Sequence, residues 1–218
     1  MDYSADVAAS TQQSGRGTTT RTQQRAEANR RSVIDAAQEI IAAHGVNALT
    51  LEAVAERADV VVQTIYNRVG GRSALLTAVA EQALEESRSY MDPAYSAQGS
   101  VEERIDLAAA AYTRFARERP HEFRILVEPP DEADAVSRIA ELTRTQNARL
   151  ANVIRDGIAS GIFRSDLDPE SVVTVLWATL NGLLSLAWRP GAMRESLESI
   201  DRLVETYLAT VGDGLRRR

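Results

Sequence analysis

Between Thr50 and Leu75 the chain reads TLEAVAERADVVVQTIYNRVGGRSAL, and no other stretch restricts the fold so much. Leu51, Val54, Ala55 and Ala58 fall at i, i+3, i+4 and i+7, which places them on one face of a short helix. Ile65 and Val69, at i and i+4, predict a second. Between the two, Ala58-Asp59-Val60 leaves room only for a sharp reversal. Aspartate tolerates the left-handed backbone such a reversal needs, though less readily than glycine. A further helix follows at once. Two short helices joined this tightly predict a helix-turn-helix, whose second helix can enter the major groove of DNA.

Helical signals continue through the rest of the chain. Residues 1–24 are Ser, Thr, Gln, Gly and Arg without periodicity and are expected to be a disordered tail, either inert or a flexible arm against DNA. From Arg25, the residues Val33, Ala37, Ile40, Ile41 and His44 share a face that Gly45 ends. Thr50 is placed to cap the second helix, with Leu49 and Val54 as a hydrophobic staple. Ser73 or its neighbours open a long fourth helix to about Tyr90. Ser100-Val101-Glu102-Glu103 reads as a capping box for a fifth helix, ended by Arg119-Pro120.

A short sixth helix runs from His121 to about Val127. Asp131 is expected to cap a long seventh, which stops at Gly161. Asp168-Pro169 supplies a cap and a first-turn proline for the eighth, which ends near Trp188. The ninth carries Leu197, Ile200, Val204, Tyr207, Leu208 and Val211 on one side. No segment shows sustained strand alternation. The expectation is an all-α protein of about nine helices, with a helix-turn-helix unit over 25–72 and a larger helical bundle over 73–218.

Composition narrows the functional classes. The chain has no cysteine, which excludes disulfides, thiolate metal sites and cysteine nucleophiles and suits a reducing cytoplasm. Gly-x-Ser-x-Gly, His-Glu-x-x-His and phosphate-binding glycine loops are absent, and His44 and His121 stand apart without metal-ligand spacing. Neither catalysis, a metal nor a cofactor is expected. Residues 171–188 form the one strongly apolar run, but Thr174, Thr179, Asn181 and Ser185 interrupt it, so a buried helix is expected rather than a membrane span. That helix is apolar nearly all round and needs two apolar neighbours. The bundle core is one, and a second copy beside helix nine is the expected other.

All 25 basic residues are arginine, and the net charge of −6 looks wrong for a nucleic-acid partner until it is divided. Residues 1–73 balance eight arginines against eight acids, whereas residues 16–31 hold five arginines and one glutamate. Phosphates respond to this local field rather than to the total.

Thr50, Leu51, Val54, Ala55, Ala58, Val60, Thr64, Ile65, Tyr66, Arg72, Ala74 and Leu75 together resemble the helix-turn-helix pattern of the TetR family of bacterial transcriptional regulators. The specific resemblance covers residues 26–80. It departs at Asp59, where glycine is usual; at Val61, where serine is usual; at Val69 for phenylalanine; and at Arg72 for lysine. Pro120-His121-Glu122-Phe123 and the segment from Gly161 to Glu170 resemble the family's C-terminal region more loosely. The resemblance implies a homodimer, formed here through helices eight and nine. It also implies a near-palindromic double-stranded DNA operator and a small-molecule effector that releases it. The alternative is a dimeric small-molecule-binding or protein-interaction module without specific operator binding.

Gln63 and Asn67 lie i, i+4 on the exposed face of the third helix, where amides bond adenine edges. Val61 and Val62 either touch thymine methyls or pack on the turn. The resemblance makes Tyr66 and Arg72 phosphate contacts; Thr50 and Thr64 are phosphate contacts or local structural residues. For the effector, it points to Tyr112, Phe115, Phe123 and Trp177, with Arg149 and Asn181 as polar anchors.

Overall fold

The computed structural model describes residues 20–129 and 132–217. Its elements are α1 (Arg21–His44), α2 (Leu51–Arg57), α3 (Val62–Arg68), α4 (Arg72–Tyr95), α5 (Val101–Glu118), α6 (Pro120–Val127), α7 (Ala133–Ala159), α8 (Pro169–Ser185) and α9 (Leu197–Leu215). Short 3-10 turns at Val46–Ala48, Leu186–Trp188 and Gly191–Met193 complete them. Among the described residues there is no strand, only an isolated bridge between Phe163 and Arg216. The all-α expectation holds.

The first helix begins at Arg21, before the Arg25 start expected for it. Thr20 Oγ1 accepts from the Gln23 amide at 3.3 Å, and Gln23 Oε1 accepts from the Thr20 amide at 2.8 Å. This capping box starts α1 at Arg21, because it satisfies two of the amides that a helix start leaves without partners. Residues 1–19 of the expected tail lie outside the described residues. At the other end, Gly45 takes φ 82° and stops α1 as the sequence indicates.

Two other boundaries move. The fourth helix does not end at Tyr90 but continues through Pro93 to Tyr95. A proline removes one helical donor, a modest loss near a C-terminus, and Met91 and Ala94 on this extension are both buried. At α7 the expected cap Asp131 lies outside the described residues. Glu132 occupies the N-cap position and makes no side-chain bond to the helix amides.

The α4 helix is the spine. Its first turns pack Leu75, Leu76 and Val79, none more than 1% exposed, into a core shared with Val33, Val54 and Ile65 of the first three helices. Its later turns lie along α5, α6 and α7. There Phe115 and Phe123 are fully buried, with Tyr112 and Trp188 each within 6.3 Å of one or both rings. A second core joins Val101, Ile154, Phe163, Val173 and Leu215 at the far ends of α5, α7, α8 and α9.

Residues Pro169–Trp188 are long and apolar enough to cross a membrane by composition, with mean hydropathy 1.5. In the fold this segment packs on α7, α6 and α9. Its outer side remains open, with Val175 60% exposed, and α9 likewise leaves Leu197 and Leu203 exposed.

Candidate functional site

Two regions gather the polar side chains singled out in the sequence. The first is the face formed by α2 and α3. Thr50 Oγ1 accepts from the Ala53 amide at 3.1 Å and so caps α2. The helix ends in a paired closure: the Val60 amide donates to Ala55 O at 3.0 Å and the Asp59 amide to Glu56 O at 3.3 Å. These are the two bonds of a Schellman motif, which requires a left-handed residue between helix and exit. Asp59 provides it at φ 53°, the one non-glycine residue with positive φ among those described. The departure from glycine therefore leaves the turn geometry intact.

The third helix has no such help at its start. Val61 occupies the N-cap position without a side-chain bond and is 68% exposed, so the missing serine hydroxyl has no substitute. Ile65 is completely buried beneath the helix. The opposite face presents exposed Gln63 and Asn67, joined by a bond from Gln63 Nε2 to Asn67 Oδ1 at 3.1 Å. Tyr66 is 53% exposed beside them, Val62 and Thr64 are partly covered, and Arg68 is exposed. Thr50 caps α2, and Arg30, midway along α1, lines a groove with Arg68, so the surface carries amides, hydroxyls and arginines together.

Arg72, expected at a phosphate, makes three contacts within the protein. Its Nε donates to Leu49 O at 3.0 Å and one terminal nitrogen to Val46 O at 3.1 Å. The other terminal nitrogen pairs with the Glu132 carboxylate. Three of the five guanidinium N–H donors are thus engaged within the protein, while the side chain remains 38% exposed. Sequence spacing had no means of finding Glu132, which lies sixty positions away.

The second region is a cavity walled by α4, α5, α6, α7, α8 and α9, with a volume of about 70 Å³. It is narrow and mainly apolar. Of the expected effector residues, Tyr112 and Trp177 line it. Asn181 stands behind the wall and accepts the Tyr112 hydroxyl at 2.7 Å, both residues being buried. Phe115 and Phe123 belong to the packed aromatic core instead. Arg149 pairs with Asp92 and lies 5.1 Å over the Tyr95 ring, outside the lining.

The sequence missed the wall supplied by α7, where Thr143, Gln146 and Asn147 face Ser87 of α4; Gln146 Nε2 donates to Ser87 Oγ at 3.3 Å. It also missed Tyr95 and Tyr207. Burial holds both phenols neutral, pushing Tyr95 and Tyr207 up to about 12 and Tyr112 higher still. The Tyr207 hydroxyl is buried without a partner. Among the described residues no cluster of His, Asp and Glu has the arrangement to hold a metal.

With this geometry in view, residues 33–79 match the family described as bacterial regulatory proteins, tetR family, and residues 105–211 match the tetracyclin repressor-like C-terminal domain. The chain belongs to the TetR family of bacterial transcriptional regulators. The TetR-like fold extends over nearly all of it. The fatty acid degradation regulator FadR from Bacillus halodurans is 19% identical with a TM-score of 0.71, covering 87% of this chain and 97% of its own. FadR from Bacillus subtilis, solved in complex with stearoyl-CoA, is 17% identical with a TM-score of 0.73, covering 85% and 99%. The ketosteroid regulator KstR2 of Mycobacterium tuberculosis is 19% identical with a TM-score of 0.63, covering 87% and 95%. No curated protein matches the chain. TetR-family proteins are transcriptional regulators rather than enzymes, and act as DNA-binding dimers.

Proposed function

We propose that this TetR-family protein is a ligand-responsive repressor that leaves a near-palindromic operator when a small molecule enters its cavity. The observation that carries the DNA-binding half is α3: Ile65 anchors one face completely, while Gln63 and Asn67 stand exposed on the other. Gln63 and Asn67 read adenine edges, with Val61 and Val62 against thymine methyls. Tyr66, Thr50, Thr64 and the nearby Arg68 hold phosphates. Base contacts supply sequence choice and phosphate contacts supply register. Arg72 supports the helix-turn-helix from behind rather than touching DNA.

The regulated unit is a homodimer whose partner covers the open apolar side of α8 and α9. The operative division of the chain falls at the start of α4, with helices α1–α3 as the DNA-binding unit and the remainder for ligand and partner. One helix then couples the two, because α4 packs the DNA-binding unit with Leu75, Leu76 and Val79 and lines the cavity with Ser87, Met91 and Tyr95. A ligand that prefers the spacing unable to bind DNA must weaken DNA binding by the same factor by which DNA weakens the ligand. An apolar effector suits the lining, and the ketosteroid regulation named for one structural relative is in keeping with it.

The test is a mobility-shift titration against DNA flanking the protein's own gene, with sedimentation measured alongside. A sequence-selective shift by a dimer is expected. Equal binding to random DNA at every salt concentration sinks the operator reading. A monomer at micromolar concentration, in the presence of DNA, sinks the dimer.

A further inference from the structure

Resting on the reading of the cavity as the effector site, we infer that the effector is an uncharged, medium-length apolar molecule bearing a hydrogen-bond acceptor at one end. The lining decides the charge. None of the residues forming the wall is Arg, His, Asp or Glu, and a bare charge transferred into such surroundings finds no counter-ion. The nearest arginine in the neighbouring groove that also touches Gln146, Arg149, is already paired with Asp92. Arg88 and Arg138 of the same groove are paired with Glu85 and with Glu81 and Glu141. An anionic head placed there meets guanidinium charge that neighbouring carboxylates already offset, and those carboxylates repel it.

The polar atoms decide the recognition group. Tyr207 lines the cavity; its hydroxyl is buried in the wall near Thr179 without a hydrogen bond of good geometry, so a ligand reaches it only by a small shift of the ring. The α7 wall adds the amides of Gln146 and Asn147 and the hydroxyl of Thr143. Such neutral donors and acceptors complement a hydroxyl, carbonyl or carboxamide oxygen. The Tyr112 proton is not free for it, being held by Asn181. Leu84, Ile105, Leu126, Leu176 and Leu180 furnish the apolar remainder of the channel.

Size follows from the free interior. A space of about 70 Å³ for water-sized occupants corresponds to about five waters at the ~10–15 Å³ that one needs on this measure. Five waters take about 150 Å³ of liquid at about 30 Å³ each, so a flexible chain of about five carbons fits without repacking, one of about eight requires the lining side chains to yield, and a long acyl chain requires the helices to part.

The experiment uses the intact dimer and three probes of one chain length: octan-1-ol, octanamide and sodium octanoate at pH 7. Calorimetry and Trp fluorescence are read without DNA, so the outcome is independent of operator binding. Octan-1-ol and octanamide are expected to bind at least tenfold more tightly than octanoate. Ala109→Phe, which fills the cavity, is expected to abolish both signals with the helical circular dichroism preserved. Tyr207→Phe is expected to weaken both neutral probes at least threefold and to leave octanoate unchanged. Octanoate binding as tightly as octan-1-ol overturns the inference, and so does failure of both neutral probes up to their solubility limits. Binding that survives Ala109→Phe also overturns it, because the probe then sits elsewhere. If Ala109→Phe does not fold, Leu180→Trp takes its place with the same expectations.

Discussion

The guanidinium of Arg72 and the carboxylate of Glu132 pair across sixty residues of sequence, tying the first turn of α4 to the entry of α7. The same guanidinium holds Val46 O and Leu49 O, the carbonyls that lead into the helix-turn-helix. Arg72→Ala therefore loosens the seat of α2 rather than removing a phosphate contact. With the pair about one-third exposed, the expected cost is about 1–2 kcal/mol of stability. Operator affinity should fall, while the slope of log K against log salt stays unchanged. A lost phosphate contact instead flattens that slope by about one unit per monomer. Anisotropy titrations at several salt concentrations separate the two, and Glu132→Gln should reproduce the direction at smaller size.

Asp59 holds the turn at φ 53° without the freedom of glycine. Asp59→Gly relieves the left-handed strain but adds flexibility to the unfolded chain, for a net gain of about 0.5 kcal/mol. Asp59→Val should lose about 1–2 kcal/mol, because a β-branched residue resists that backbone. Urea denaturation of the three proteins, read at matched slopes, checks the order. Should Asp59→Val equal the parent, the Schellman geometry of the turn is not what fixes α2 against α3.

Local signals explain what could be read without coordinates. The boxes at Ser100 and the caps at Thr50 and Asp168 are completed within three residues, so their signatures sit in adjacent letters. The box at Thr20 has the same span, but its place in a polar, arginine-bearing stretch concealed it. The passage of α4 through Pro93 depends on burial of Met91 and Ala94 by other helices, which no local pattern reports. The cavity was harder still. Phe115 and Phe123 look like effector residues by type, yet they fill the core, while Gln146 and Asn147 look like ordinary helix surface and Tyr207 like one more member of an apolar helix side. A residue's side of a packed bundle is settled by helix crossing, and helical periodicity alone does not supply it.

Gly157 lies where α7 meets the return of the chain at Phe163. A Cβ at that position falls 2.3 Å from Phe163 Cδ2, and Phe163 is itself buried, so the ring has no free direction in which to yield. Gly157→Ala is expected to cost about 1–3 kcal/mol despite the better helix propensity of alanine. The double variant Gly157→Ala with Phe163→Leu should recover part of the loss, as measured by thermal unfolding. Full additivity of the two losses would mean that this contact is not the cause.

Gln63→Ala removes an amide that bonds Asn67 in the free protein and is proposed to meet a base. Each good bidentate base contact discriminates by about 1–3 kcal/mol. The variant should keep its affinity for random DNA and lose selectivity for the operator, at unchanged melting temperature. Tyr66→Phe should weaken operator and random DNA together. Competition titrations with both DNAs tell the roles apart, and equal loss by both variants on both DNAs would refute the division.

Alkaline pH should expose the buried phenols of the cavity wall. Tyr95 and Tyr207 are pushed from 10.0 up to about 12 by burial, with Asp92 adding to the rise at Tyr95 and Arg149 opposing it. Tyr112 moves the same way for the same leading cause. In the unfolded chain these groups release protons near 10, whereas the folded protein retains them. Their contribution to stability is therefore full below about pH 10 and declines as pH rises toward 12. The melting temperature should fall across that window, and phenolate absorbance from these residues should appear with unfolding rather than before it. Tyr207→Phe should flatten the decline and leave the pH 7 melting temperature equal or higher, because it removes a buried hydroxyl that has no partner. A phenolate signal of full size in the folded protein at pH 10.5 would show that the wall is wet, contradicting the dry channel on which the neutral effector depends.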